Sequence, residues 1–507
     1  MAARDETRSL AELAKDELRQ GRRNQAAALL LQARQAPPRD PLTLRTLASV
    51  AVVLQDGDAA AELLQAAIAA CVPEPAPAAW HRALGEMLAT QGRLNGAIHA
   101  LRAALAEKPD DADTWRWLSR VLRRVDDLPG AVAASRRAVE LSPEEWPARA
   151  DLALLLTDAG ASDEAATLFE EAAARAGDVP ALVVGRAKLD AQRGLRPDAI
   201  AALEACLARH PNNVSALATL ALALRDERRF DDSVAAFRRA VELVPGESAF
   251  WCGLGRTLLE AGHAEQALSV AASYLQQRPG HAGALSLEVL AREALGDADG
   301  VQRLLDHDRF VVQRMLPLPE GFADLSSFNL ALAAAASTHP TLHWAPLRHA
   351  TAAGLHSGSL LIDPPDAIES LQQALRVAVE DYCRALPTWP EHPFVARQPK
   401  SSVFDMWCVV MQRGGHQIPH MHPEAWISGV YYPQLPEVVR SGKGFEGWLA
   451  FGEPDRNFPR RLEPRVLHVQ PQEGFLVLFP SYFFHRTIPF DAEGTRISVA
   501  FDLIPTE

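Results

Sequence analysis

The strongest constraint on this chain is a step of 34 residues that recurs through its first 300. Prolines stand at Pro109, Pro143, Pro211, Pro245 and Pro279, spaced by 34, 68, 34 and 34, and Gly177 fills the one gap. Small residues keep the same step: Ala97, Ala131, Ala165, Ala199, Ser233 and Ala267. Proline cannot continue a helix, and a small residue lets two helices cross closely. A fixed period of this length therefore predicts stacked helical hairpins, each covering its neighbour's apolar face. Six units begin near 78, 112, 146, 180, 214 and 248, and residues 1–77 hold two looser ones with small insertions. A degenerate unit at about 282–300 closes the series.

Beyond residue 300 the step disappears. "FVVQRMLPLPEGFADLSSFNLALAAAASTHP" reads as an extended segment, a proline-rich turn and a helix, and 364–386 as an amphipathic helix. From about 400 onward come short runs rich in Val, Phe, Ile, Tyr and Trp, among them "SVFDMWCVVMQ", "AWISGVYYP", "GFLVLFPS" and "RISVAFDLIP". Gly, Pro, Asn and Asp separate them, with no helix between. The expected fold class is α+β in two parts: an all-α solenoid, then a jelly-roll (double-stranded β-helix) domain with flanking helices over 301–507.

Composition narrows the function. With 51 basic against 64 acidic residues the formal net charge is −13, which argues against wholesale binding of nucleic acid or an anionic membrane. Five scattered cysteines without a CxxC pair fit reduced thiols better than a disulfide framework. "MAARDETRSLAELAKDEL" has acidic residues where a secretion signal has an apolar core, and no run reaches the roughly 18 apolar residues of a membrane span. The expected compartment is the cytoplasm.

"HRALGEMLATQGRLNGAIHALRAALAEKP" (81–109) and "FWCGLGRTLLEAGHAEQALSVAASYLQQRP" (250–279) resemble the tetratricopeptide repeat family. The resemblance implies a concave groove, lined by the first helix of each hairpin, that holds a protein or peptide partner. In "WRWLSRVLRR" the spacing puts Arg116, Arg120, Arg123 and Arg124 on one helix face, and Arg82, Arg225 and Arg256 extend it. That face either grips an acidic segment through bidentate guanidinium pairs or is a solvated surface partly neutralised by Asp126 and Asp127.

Chemistry concentrates in "HMHPEAWISGVYYP", 420–433. In an extended chain His420, His422 and Glu424 point to one side. His485 follows a later apolar strand, "VLFPSYFFH", and Arg496 and Ser498 share a strand face after it. Two histidines and a carboxylate from separate strands make the facial triad of non-haem Fe(II) oxygenases, and a buried arginine is suited to a dicarboxylate's far end. The set resembles the 2-oxoglutarate- and Fe(II)-dependent oxygenases, in the branch with His-x-His-Pro running into Ser-Gly-Val-Tyr-Tyr, over roughly 305–505. The resemblance implies Fe(II), 2-oxoglutarate as co-substrate, and oxidation, usually hydroxylation, of a second substrate. Two ligand registers stand open: His422, Glu424 and His485, or His420, His422 and His485. The residue left over would orient a ligand. Arg496, with Ser498 and Tyr432, is the expected 2-oxoglutarate site. Trp407, Trp426 and Trp448 read as core, and His416 and His468 as structural. The alternatives are a scaffold whose β-domain no longer turns over, or a cupin-like metal enzyme that does not use 2-oxoglutarate.

Overall fold

The computed structural model describes every residue except 1, 36–39, 73, 178, 348, 387, 388, 390, 443, 455, 456 and 507, together with the backbone alone of 2–8. Among the described residues, seventeen helices, from Ala2–Arg19 to Ala282–Leu295, form the N-terminal solenoid, and an antiparallel β-domain follows. The chain divides into two compact units, 1–152 and 153–507; the second holds the later repeats together with the β-domain.

The 34-residue step works by packing. Ala97, Ala131, Ala165, Ala199, Ser233 and Ala267 are all fully buried. At the crossing of helices Ala78–Thr90 and Leu94–Glu107, a Cβ on Gly85 would lie 2.6 Å from Leu101 Cγ and 3.2 Å from the Ala97 carbonyl oxygen. Side chains stabilise many helix starts: Asp40, Asp56, Asp127, Asn213 and Asp297 each accept from a backbone N–H three residues on. Gly177 ends helix Ser162–Ala176 with φ 70°, a conformation that costs glycine little.

Helix Ala282–Leu295 is buried all round, from Ala282 and Leu285 to Glu293 and Ala294. Leu285 and Val289 belong to the β-domain's core, whereas Leu287, Leu290 and Ala294 pack with the preceding repeat helices. An all-round buried helix is one with apolar partners on every side.

Among the described residues the β-domain has ten strands: β1 (Val312–Met315), β2 (His343–Trp344), β3 (Thr351–His356), β4 (Ser402–Gln417), β5 (Ile427–Gln434), β6 (Leu449–Phe451), β7 (Leu467–Val469), β8 (Phe475–Pro480), β9 (His485–Thr487) and β10 (Arg496–Pro505). They form a seven-stranded sheet, β1-β8-β5-β10-β4-β3-β2, and a three-stranded sheet, β7-β6-β9. Helices Leu325–Ser337 and Asp366–Ala385 flank them. The alternating expectation for 420–424 holds only in part. The extended segment runs through His422, and a turn at Pro423 and Glu424 then breaks it. His485 lies on the short strand β9 in the other sheet from β8, not on β8's continuation.

Candidate metal centre

His420 and His485 are pinned to each other through their backbones. His420 N–H donates to the His485 carbonyl at 3.0 Å, and His485 N–H donates back at 2.9 Å. His422 N–H donates to Ser481 O at 3.0 Å, which ties the same loop to the end of β8. The turn at Pro423 then carries Glu424 out of the row. The loop thus brings His420, His422 and His485 together, with one ring nitrogen of each within 4.8 Å of the others. Glu424 does not join them; its Oε1 accepts from Ser248 Oγ at 2.7 Å and stands 3.5 Å from His281 Nε2.

The ring tautomers follow from the hydrogen bonds. Nδ1 of His420 lies 2.8 Å from Ile418 O, and Nδ1 of His485 lies 3.0 Å from Phe483 O. Nδ1 of His422 lies 2.7 Å from Asp502 Oδ2. Carbonyl and carboxylate oxygens only accept, so each Nδ1 carries a proton and Nε2 is the ring nitrogen left to bind a ligand. Nε2 of His422 is buried with no hydrogen-bond partner among the described residues. Burial, reinforced by His422, pushes His420 down to about 3; burial and its neighbouring histidines push His485 well below its usual range. Three imidazoles with ring nitrogens this close suit a divalent transition metal, so the residues present fit the ion that such a histidine set implies.

Asp502, which sequence reading missed, accepts from both sides. Ser428 Oγ donates to its Oδ1 at 2.6 Å while His422 engages Oδ2, and Ser481 Oγ lies 2.8 Å from Ser428 Oγ. A carboxylate behind a ligating histidine fixes ring orientation and strengthens the ligand. Trp407, read as core, stacks on His422 with centroids 5.5 Å apart and lines the cavity in front of it. Trp426 stacks on Phe394 and Trp448 packs edge-on against Phe445. His416 lines an outer cavity, and His468 stacks on Phe445. His356 on β3, also missed, lies beside Trp407.

Arg496, Ser498 and Tyr432 line the same cavity as the three histidines. The Arg496 side chain is 1% exposed. Its Nε donates to Gly447 O at 3.2 Å and its Nη1 to Ser498 Oγ at 3.3 Å, and the guanidinium lies 5.1 Å from the Tyr432 ring centroid. Among the described residues no carboxylate pairs with it, and the buried Tyr432 hydroxyl has no hydrogen-bond partner. Burial pushes the Arg496 pKa below its usual value. An unpaired buried cation is costly, so this end of the cavity favours a bound anion. Beyond Gln417 and Thr487, which both cavities share, opens a second cavity of about 320 Å³ whose wall includes Glu453, Arg460 and Arg486.

The arginine face of the first unit is already engaged. Arg116 and Arg120 both reach Asp151 Oδ2, at 3.3 and 2.9 Å, and Arg82 pairs with Glu86 and Asp111. Arg124 donates to Ala89 O. In the second unit Arg225 lies 4.0 Å from Glu260. No helix among the described residues is long and apolar enough to cross a membrane.

Comparison with known proteins agrees with this division. The family described as "Tetratricopeptide repeat" matches residues 12–74, 45–112, 82–145, 184–248 and 218–282. The family described as "Putative 2OG-Fe(II) oxygenase" matches 405–502, from within β4 to Asp502. No curated protein matches the chain. Among solved structures, a tetratricopeptide repeat protein from Parabacteroides merdae is 16% identical, covering 51% of this chain and 100% of its own, with a TM-score of 0.44. A thermophilic repeat protein of Thermus thermophilus is 22% identical over 36% of this chain and 99% of its own, with a TM-score of 0.33.

Proposed function

We propose that this chain, a tetratricopeptide repeat protein with an Fe(II)/2-oxoglutarate oxygenase domain at its C-terminal end, is a dioxygenase acting on a protein or peptide segment. One observation carries the reading: three histidines and a buried arginine, with no carboxylate partner among the described residues, face one cavity. His420, His422 and His485 would hold the metal, and Asp502 would hold His422 in the ligating tautomer. Arg496, with Ser498 and the unpartnered Tyr432 hydroxyl, would hold the far carboxylate of 2-oxoglutarate by charge-assisted hydrogen bonds. When bound, the metal and 2-oxoglutarate together activate O2, releasing succinate and CO2 and oxidising the second substrate. Trp407 and Phe479, which line the cavity, would restrict water at the reacting end. The outer cavity beyond Gln417 and Thr487 is of the size that admits a side chain or a small ligand.

The repeats support a polypeptide substrate, because repeats of this family generally mediate protein–protein contacts. A partner using the arginine face would compete with Asp151 and Asp111 for it. The all-histidine set favours one other reading, a cupin-like metal enzyme that does not use 2-oxoglutarate. Two substitutions separate the readings. His485→Ala abolishes metal binding under both. Arg496→Ala leaves metal affinity within about twofold and raises the KM for 2-oxoglutarate at least about tenfold under the first reading alone. Unchanged 2-oxoglutarate dependence in Arg496→Ala would sink the first reading.

A further inference from the structure

The loop that bears the metal-site histidines is held from the repeat helices. The 34-residue step carries the helix face of Arg116 and Arg120 onto Cys252 and Arg256 in helix Ser248–Glu260, and onto Ser286 and Leu290 in helix Ala282–Leu295. In a repeat of this kind that face lines the partner groove. On these last two helices the β-domain's own loops take it. Phe458, from the segment between β6 and β7, is buried among Leu254, Leu258, Leu287 and Leu290, with the Arg256 guanidinium 5.3 Å from its ring centroid. Arg461 N–H donates to Glu293 O at 3.1 Å.

The second loop is 420–424. Gly283 N–H, in the first turn of its helix, donates to Pro423 O at 3.1 Å. Ser248 Oγ donates to Glu424 Oε1 at 2.7 Å. His281 Nδ1 accepts from Ala284 N–H at 3.3 Å, so its ring proton sits on Nε2, which stands 3.5 Å from the same carboxylate oxygen. His281, and then Ser248, hold the Glu424 carboxyl below its ordinary range against partial burial. The approach leaves no room for a side chain at 283: a Cβ there would lie 2.9 Å from Cys252 Sγ and 3.2 Å from Pro423 Cβ.

Building on the metal reading above, we propose that the terminal repeats complete the metal centre. Glu424 and the close approach at Gly283 are positioning elements that fix the loop bearing His420 and His422, and the groove's last two faces receive this chain's own loops as their ligand. Glu424, an alternative ligand on sequence grounds, acts through Ser248 and His281 rather than on the ion.

The test uses the full chain and Co(II) as a spectroscopic probe. Metal affinity is read from the visible absorption, and backbone amide exchange at His422 and Trp426 from mass spectrometry. Those two amides donate to Ser481 O and Leu503 O. Gly283→Val wedges the loop from the helix, and Glu424→Ala releases it without touching the helix. Both raise the Kd for Co(II) about tenfold, the usual scale for groups that orient a ligand, and speed exchange at the two amides, and Glu424→Ala does so with the melting temperature of the repeats in place. Glu424→Gln keeps an acceptor for Ser248 and restores most of the affinity. Gly246→Ala, where an added Cβ meets nothing within 4 Å, changes neither readout. Parental Co(II) affinity in both Gly283→Val and Glu424→Ala overturns the proposal. If the parent chain binds no Co(II), the metal reading of the domain fails instead. The positioning role is then decided by exchange alone: faster exchange in the two variants sustains it, and unchanged exchange overturns it.

Discussion

Arg496 and Asp502 carry opposite charges on one strand, and the fold treats them differently. Asp502 has two donors, Ser428 and His422, while Arg496 is buried with no carboxylate partner among the described residues. Asp502→Ala should lower metal affinity about 10–100-fold, since His422 would lose the acceptor that fixes its tautomer; titration with Co(II) checks it. An effect under about twofold would mean that Ser428 and the backbone suffice. Asp502 was within reach of the sequence. Positions 496, 498, 500 and 502 share a strand face by the period of two, and extending Arg496-x-Ser498 two steps arrives at it. His356 was not within reach, because only the β3–β4 pairing brings that distant residue to the site. Which of His420 and Glu424 lies beside His422 and His485 was equally closed to sequence, for it turns on where one turn begins. Pro423 removes a backbone donor and restricts its own φ, which favours a turn there over a longer strand.

At the scale of elements, helix Ala282–Leu295 has the sharpest physical consequences. Its Glu293 is 3% exposed, with Oε2 unpartnered among the described residues. Burial, opposed by Arg460, pushes its carboxyl up to about 7 from an ordinary 4.5. Below pH 4.5 the group is protonated in both folded and unfolded chains, and its contribution to stability is fully present. As pH rises toward 7 the unfolded chain ionises first, so stability falls across that window. Glu293→Gln should therefore stabilise the protein by up to about 3 kcal/mol at about pH 8 and by far less at about pH 4, seen as a melting-temperature gain that fades on acidification. Phe458→Ala, which removes a ring from the buried cluster that includes Leu287 and Leu290, should cost about 3 kcal/mol in denaturant unfolding. The sequence announced this helix only as the degenerate end of a series. Its burial on every side depends on the β-domain, which the 34-residue step does not describe. Strand β3 was missed for a related reason: "TAAGLH" has weak strand propensity and gains its conformation from pairing with β4.

For the molecule as a whole, the division into a helical solenoid and an antiparallel β-domain was legible because each part repeats its own period, 34 residues in one and two in the other. The joining of the later repeats to the β-domain within residues 153–507 was not, since it rests on loop contacts with no periodicity. Residues 301–507 made alone would expose Phe458 and the apolar surface that meets Leu285 and Val289. That fragment should melt well below a fragment beginning at 246, or fail to fold, as circular dichroism would report. Equal melting temperatures would mean that the β-domain is autonomous. Anaerobic reconstitution decides whether this cavity uses iron and 2-oxoglutarate. With Fe(II) bound, adding 2-oxoglutarate should produce a visible charge-transfer band that is absent in His485→Ala, and admitting O2 should yield succinate. No band and no succinate from the intact chain would mean that the cavity does not use this pair.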